Sequence, residues 1–204
     1  MRVVIDEQVT DMQPGSVAEA ISEAAANAEQ NGRMIVEVIV DGERWNNEQL
    51  NSPEAANTEA QEIRLESAEP RQLVAGTFAD AAEALLQADD LQQQAANDIQ
   101  SGQNEPAMEK LNEAISIWMS VRQAVAQGSQ LVGLDLENIT VEGTPVLESV
   151  EGLNEHLRQM RDALTNNDLV NVSDTLLYEL PDTVRQWRSI LTDLQQRVQE
   201  SAAE

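Results

Sequence analysis

Apolar side chains recur at spacings of three and four residues through two consecutive segments near the end of the chain. Such spacing places each row on one stripe of a helix. The first row comprises Val146, Val150, Leu153, Leu157, Met160 and Leu164, and the second comprises Val184, Trp187, Leu191, Leu194 and Val198. Residues 165–168 (Thr-Asn-Asn-Asp) between the rows favour caps and turns. The pattern predicts an antiparallel helical hairpin that buries both stripes.

Two further helices are predicted before this hairpin. Thr77 and Asp80 have the spacing of a capping box and predict a helix that ends near Gln100. After a break at 101–104, a second helix is predicted to end at Gly128, with an apolar stripe of Met108, Leu111, Ile115, Trp118 and Val125. Four helices of this kind predict an all-α four-helix bundle over residues 71–199.

The connections within this bundle carry their own signals. Residues 128–144 combine three glycines with apolar residues and predict a long crossover loop that lies on the bundle. Thr144 and Pro145 predict the cap and the first position of the third helix. Pro181 is expected either to kink or to split the fourth helix. Residues 200–204 are predicted to form a polar tail.

The first seventy residues follow a different pattern. Residues 2–6 form a short β-branched run, which Glu7-Gln8 is expected to turn back through Val9 and Thr10. Ser16 and Glu19 match a capping box for a helix that ends near Gln30. Residues 34–40 are a strongly apolar strand, and the Asp41-Gly42 dipeptide that follows favours a hairpin turn.

A last strand is predicted at residues 62–66, where apolar and charged positions alternate with Ile63 and Leu65 facing inward. The predicted fold class of residues 1–70 is therefore a small α+β module of β(β)αββ order, similar to a β-grasp. Pro70 is expected to close it.

Composition narrows the classes of function. The chain carries 37 acidic and 12 basic residues, a formal net charge of −25. Residues 1–70 contain 15 acidic and 4 basic residues, and residues 71–204 contain 22 acidic and 8 basic residues. This even excess of acid argues against nucleic-acid binding and against anionic membranes, since both need clustered Lys and Arg. With no apolar run of membrane-spanning length and no signal-peptide core at the start, the expectation is a soluble cytoplasmic protein.

No reactive constellation competes with a binding role. The chain has no cysteine and one histidine, His156, which is expected on a partly exposed helix surface. A histidine alone supplies neither a nucleophile nor a metal-ligand set, and no glycine-rich phosphate loop occurs. The sequence therefore predicts neither catalytic residues nor a cofactor nor a metal site.

Three sets of residues are candidates for a protein interface. Arg158/Arg161 and Arg185/Arg188 concentrate positive charge in the last hairpin, where they either pair with nearby carboxylates such as Asp162, Asp182 and Asp193 or dock an acidic partner. Local pairing is the preferred interpretation. Trp45 either packs on the small sheet, covers a seam between the two parts, or is an exposed anchor. Leu131, Leu134 and Leu136 belong to the apolar crossover loop.

Two sequence segments of the helical region resemble a known family. Residues 108–118 (Met-Glu-Lys-Leu-Asn-Glu-Ala-Ile-Ser-Ile-Trp) and 157–170 (Leu-Arg-Gln-Met-Arg-Asp-Ala-Leu-Thr-Asn-Asn-Asp-Leu-Val), the second continuing through Trp187, resemble the flagellar export chaperones that bind flagellin. The resemblance covers roughly residues 80–198 and implies a small antiparallel bundle whose groove holds an amphipathic helix. The N-terminal module and the apolar crossover depart from that family. The two-part layout as a whole also resembles bacterial proteins without an assigned activity.

These observations favour a non-enzymatic protein that binds a protein partner, such as an amphipathic helix, as an adaptor or export chaperone. The first alternative is a structural homodimer whose stripes are fully used, without a free groove. The second is an enzyme that uses carboxylates alone, which needs two close carboxylates with separated pKa values in a pocket.

Overall fold

The structure is a computed structural model that describes residues 1–50, 52, 58 and 60–200. The contacts between Cα atoms divide the chain into two compact units, Met1–Leu73 (unit 1) and Val74–Glu204 (unit 2). Unit 1 is of the α+β class and unit 2 is built of helices, as the sequence predicts. Of the predicted polar tail, residues 201–204 lie outside the described part of the chain.

Unit 1 is a five-stranded mixed sheet with one long helix. Its sheet has the order β2-β1-β5-β3-β4, in which β1 and β5 are parallel and the other pairs are antiparallel. This central parallel pair gives the β-grasp-like arrangement. The elements are β1 (Arg2–Ile5), β2 (Gln8–Val9), α1 (Val17–Gln30), β3 (Met34–Val40), β4 (Glu43–Arg44), the short α2 (Asn47–Leu50) and β5 (Glu62–Ala68).

One face of the sheet forms the core of unit 1 with α1. The small residues Ala20 and Ala24 let the helix lie close to Ile63 and Leu65, which are fully buried as predicted. The predicted cap is confirmed, because Ser16 Oγ accepts a hydrogen bond from the Glu19 amide at 3.2 Å. The Glu19 carboxylate reaches back to the amide of Gly15 at 2.6 Å, one residue before the position expected for a capping box.

The two tight turns of unit 1 differ in how well the sequence predicts them. The Asp41-Gly42 hairpin is confirmed, with φ values of +49° and +87°. The first turn lies at Asp6-Glu7, one residue earlier than expected, and both residues have positive φ. Asp6 is fixed there by a contact remote in sequence, since its carboxylate accepts hydrogen bonds from the Ser67 amide (2.7 Å) and hydroxyl (2.6 Å).

The described residues of unit 2 contain four long helical segments, the predicted four-helix bundle. They are α3 (Pro70–Gln100, whose first four residues fall in unit 1), α4 (Asn104–Val132), α5 (Val146–Thr165), and a continuous run formed by α6 (Leu169–Asp174), a π-helical turn (Thr175–Glu179) and α7 (Leu180–Glu200). Trp118 of α4 and Trp187 of α7 are fully buried, as predicted, and meet edge to face with ring centroids 5.9 Å apart. Apolar side chains from α3, α4, α5 and α7 share this core.

The start of α3 corrects the prediction from Thr77 and Asp80. The helix begins at Pro70, seven residues earlier, where the missing N–H of proline costs nothing. Val74 and Ala75 are buried on the same stripe as Phe78, so extending the helix backwards buries them in the core. The capping-box pattern therefore lies inside a helix, and Pro70 opens an element instead of closing a module.

The end of α4 corrects the predicted crossover loop. The helix continues through Gly128 to Val132 and is capped by Gly133, which adopts the left-handed conformation at φ +71°. Gly128 serves a different purpose, because a Cβ at this position would lie 2.9 Å from Cε1 of Phe78. The glycine at position 128 lies inside α4 and allows α3 and α4 to pack closely there.

The remaining connection is structured. A 3₁₀ turn at Leu136–Asn138 leads into a small hairpin of β6 (Thr140–Val141) and β7 (Thr144–Pro145). Ile139 and Val141 of this segment are buried in the bundle core, so the apolar residues do lie on the bundle as predicted. Pro145 precedes α5 instead of occupying its first turn, because Thr144 and Pro145 are paired in the hairpin.

Pro181 neither breaks nor ends the last helical segment. Proline offers no N–H to the carbonyl of residue 177, and its ring crowds that carbonyl. The chain widens into the π-helical turn just before Pro181, where the Leu180 amide donates to the carbonyl of Thr175, five residues back. The wider turn accommodates the proline, and the helical run continues through it to Glu200.

Candidate partner-binding groove

The four arginines predicted as interface candidates form contacts within the bundle. Arg158 pairs with Glu155, Arg161 with Asp162 and Arg185 with Asp182, all on exposed helix surfaces. Arg188 instead donates from Nε to the carbonyl of Ala82 at 3.1 Å and so ties α7 to α3. Arg158, Arg161 and Arg185 therefore pair locally, as the preferred interpretation has it. Of the three carboxylates named for this pairing, Asp162 and Asp182 take part, whereas Asp193 pairs with Arg197.

The predicted apolar interface residues are placed as follows. Trp45 is partly buried against the core of unit 1, and its amide donates to the carbonyl of Val38 at 2.9 Å. Of the three interpretations of Trp45, packing on the small sheet is the one observed. Leu134 and Leu136 pack partly against the bundle core, whereas Leu131 at the end of α4 remains 48% exposed.

His156 lies partly exposed on α5, as expected. Its Nδ1 is 3.2 Å from the hydroxyl of Thr183, and its Nε2 is 3.8 Å from a carboxylate oxygen of Glu179. The Thr183 hydroxyl also contacts the carbonyl of Glu179 at 3.2 Å. The histidine thus links α5 to the segment around Pro181, a connecting role within the bundle.

A concave apolar surface of unit 2 lies between α3 and α4. These helices are joined by three residues and therefore run antiparallel side by side. Small residues at their contact leave a groove of about 460 Å³ on the outer side. Its lining comprises Thr77, Asp80, Ala81 and Ala84 of α3 and Glu113, Ser116, Ile117, Ser120, Val121 and Ala124 of α4.

The floor and the rims of this groove differ in chemistry. Ala84, Ile117 and Ala124 are partly exposed apolar residues, so the floor offers apolar surface to a ligand. The hydroxyls of Ser116 and Ser120 on the α4 side are already used, since each donates to a carbonyl four residues back. The serines therefore add little polarity, and the groove is predominantly apolar.

The charged residues of the lining are both acidic. Asp80 on α3 and Glu113 on α4 are exposed on opposite rims. Gln87 Nε2 donates to Glu113 Oε1 at 3.2 Å, a contact that joins the two helices at one end of the groove. Because the glutamine amide is neutral, it leaves the negative charge of Glu113 uncompensated. The groove therefore combines an apolar floor with acidic rims.

The residues that line the groove have a local signal in the sequence. Thr77, Asp80 and Ala84 recur at helical spacing, as do Glu113, Ile117, Ser120 and Ala124. The capping-box interpretation of Thr77 and Asp80 takes them away from the helix surface and is wrong, because both lie inside α3. The stripe through Trp118 lies in the core as predicted. The row beside it is small and polar, so no apolar periodicity marks it as a surface.

Among the described residues, no group of three or more His, Asp or Glu side chains is arranged to hold a metal ion. Within the same part of the chain, none of the helices has the length and apolar character needed to cross a membrane.

Fold and groove together define an acidic four-helix bundle that follows a small α+β unit and offers an apolar groove on one helical hairpin. A family model described as a domain of unknown function (DUF8042) matches residues 77–190. The match covers more than half of the chain, and the protein belongs to this family. It includes every residue that lines the groove. No curated protein and no solved structure matches the chain.

Proposed function

We propose that this protein is a non-enzymatic, protein-binding helical bundle that acts in the cytoplasm as an adaptor or export chaperone and accepts an amphipathic helix in the α3–α4 groove. The observation that carries the proposal is the groove itself, which has a volume of about 460 Å³ and an apolar floor. It lies on the outside of a bundle whose apolar core is formed by the four helical segments. Helix-in-groove recognition needs this combination of apolar surface and access.

The dimensions of the groove support a helical ligand. Its α4 wall extends from Glu113 to Ala124, about 16 Å at a rise of 1.5 Å per residue, or roughly three turns. A helix of that length offers about three apolar anchors at positions i, i+3 or i+4, and i+7. A contact of this size belongs among the small, transient interfaces, so we expect a Kd of roughly 10⁻⁶ to 10⁻⁴ M.

A matched pair of variants tests the proposal. Ala124 lines the groove, and Ala126 lies two residues further along the same helix, exposed and outside the lining. Ala124→Trp places an indole in the groove, while Ala126→Trp adds the same side chain at a neighbouring surface position. The probe is a fluorescein-labelled 14-residue peptide with leucines at helical i, i+3, i+4 and i+7 positions and glutamine elsewhere, and binding is followed by fluorescence anisotropy.

We expect the peptide to bind the unmodified protein and the Ala126→Trp variant equally, and the Ala124→Trp variant at least tenfold more weakly. Equal binding to both variants, or none to the unmodified protein at millimolar concentration, would show that the groove does not hold a helix. Sedimentation velocity adds a second check. A dimer that Ala124→Trp dissociates would mean that a second copy fills the groove and would favour the structural alternative.

A further inference from the structure

We infer that the α3–α4 groove selects a cationic amphipathic helix, in which Lys or Arg side chains flank the apolar stripe and pair with Asp80 and Glu113. This inference rests on the proposed function and goes beyond it by naming the chemistry of the partner.

The first argument is the sign of the charges around the groove. Residues 74–100 of α3 contain no lysine or arginine, and α4 contains only Lys110 and Arg122. Lys110 pairs with Asp98, and Arg122 Nη1 donates to Asn154 Oδ1 at 2.9 Å. Both cations of α4 are therefore engaged elsewhere, and the charged groups of the lining are the two carboxylates.

The second argument is the position of these carboxylates on opposite rims. Asp80 projects from α3 and Glu113 from α4, with the apolar floor between them. A helix that lies on this floor exposes the two borders of its apolar stripe to the two rims. Cationic side chains at those borders meet a carboxylate on each side, whereas acidic borders meet like charge, which disfavours binding.

The third argument separates this partner from a second copy of the chain. Pairing two copies groove to groove would bring the rims of Asp80 and Glu113 against each other, between chains that each carry a formal charge of −25. Like-charge contacts of this kind weaken association. The acidic rims therefore favour a basic helix from another protein over self-association through this face.

Two more peptides test the inference. They keep the leucine positions of the neutral peptide and replace the glutamines that flank the stripe with lysine in one and with glutamate in the other. At 150 mM salt we expect affinity to rise from the glutamate to the glutamine to the lysine peptide, with at least tenfold between the extremes. Raising the salt to 500 mM should weaken binding of the lysine peptide and leave that of the glutamine peptide nearly unchanged.

A charge-matched pair of variants separates the rims from the overall charge. Asp80→Asn combined with Glu113→Gln removes both rim charges, while Glu148→Gln combined with Glu151→Gln removes two exposed charges from α5. Exposed ion pairs contribute little each, so we expect the rim variant to bind the lysine peptide roughly fivefold more weakly. The α5 variant should change binding less than twofold, since charges beyond about 8 Å are screened at this salt.

The outcomes distinguish this inference from the proposed function. Equal affinities for the lysine and glutamate peptides, or equal losses in the rim and α5 variants, would overturn the inference, and in the second case only the overall charge attracts the peptide. Either result leaves the proposed function standing if the neutral peptide still binds and Ala124→Trp blocks it. Failure of all three peptides to bind would overturn both.

Discussion

Replacing Gly128 with alanine should destabilise unit 2, although the same change usually stabilises a helix. Gly128 lies inside α4, and alanine in a helix interior is favoured over glycine by about 1 kcal/mol. At this site the new Cβ would lie 2.9 Å from Cε1 and 3.1 Å from Cζ of Phe78, and 3.1 Å from Cγ1 of Val74. These distances are shorter than ordinary carbon–carbon contacts.

The Phe78 ring has little room to move away from the new methyl group. Phe78 is 0% exposed and belongs to the main core of unit 2, where interiors are close-packed. Overpacking of this kind costs about 1–3 kcal/mol. Setting that cost against the gain in helix propensity, we expect Gly128→Ala to lower the free energy of unfolding by about 1 kcal/mol.

Gly152 provides the matched control. It lies inside α5, is exposed, and a Cβ there would meet no atom within 4 Å. Gly152→Ala should therefore gain the full propensity term and raise the free energy of unfolding by about 1 kcal/mol. Urea unfolding followed by circular dichroism at 222 nm should place the two variants about 2 kcal/mol apart, on opposite sides of the unmodified protein.

Two results would refute this reasoning. Equal stabilisation by both alanines would mean that the contact between Gly128 and Phe78 does not constrain the core. Combining Gly128→Ala with Phe78→Leu tests the cause directly, because the smaller side chain makes room for the methyl group. The double variant should be more stable than the sum of the single changes predicts, by about 1 kcal/mol, and strict additivity would place the strain elsewhere.

Two further predictions concern single polar contacts. Hydrogen bonds from the Ser67 hydroxyl and amide, and to a smaller extent the charge of Arg33, lower the pKa of Asp6 from its ordinary value of 3.8. The ionised carboxylate therefore stabilises unit 1 above pH 3.8, and this contribution is lost as the pH falls through the lowered pKa. Asp6→Asn keeps a residue type that suits the positive φ, and it should lower the free energy of unfolding at pH 7 by only about 1 kcal/mol, because the side chain is 42% exposed. Urea unfolding at pH 3 should show a smaller difference between the variant and the unmodified protein. An equal difference at both pH values would contradict the ionic origin. Arg188→Ala removes the contact with the Ala82 carbonyl and should lower the free energy of unfolding by about 1 kcal/mol, measured by thermal unfolding. Arg185→Ala should change it by less than about 0.5 kcal/mol, because that side chain is 74% exposed. Equal effects would contradict the bridging role of Arg188.

Elements whose signals are local follow directly from the order of the residues. The stripes that contain Trp118 and Trp187 are assigned to a core, because helical spacing alone places those side chains on one face with their apolar neighbours. The Asp41-Gly42 turn was equally secure, since positive φ at two consecutive residues restricts the choice of residue. Four helices and a small mixed sheet follow from patterns of this kind.

The ends of those elements depend on contacts between parts of the chain that are remote in sequence. Gly128 resembles a helix stop in the sequence, but α4 continues past it to Val132. The close approach of Phe78 from another helix is the reason that a glycine occupies this position. Thr77 and Asp80 resembled a cap, but burial of Val74 extends α3 backwards past them. In each case a contact remote in sequence overrode a local preference worth about 1 kcal/mol.

The groove depended on tertiary structure for the same reason. Asp80 and Glu113 are 33 positions apart in the sequence, and only the antiparallel packing of α3 on α4 sets them on opposite rims of one surface. Acidic residues are so frequent in this chain that no pair stands out from the sequence. Hydrophobic periodicity identifies the face that a helix buries, whereas the shape of the face left outside is set by which helix packs beside it.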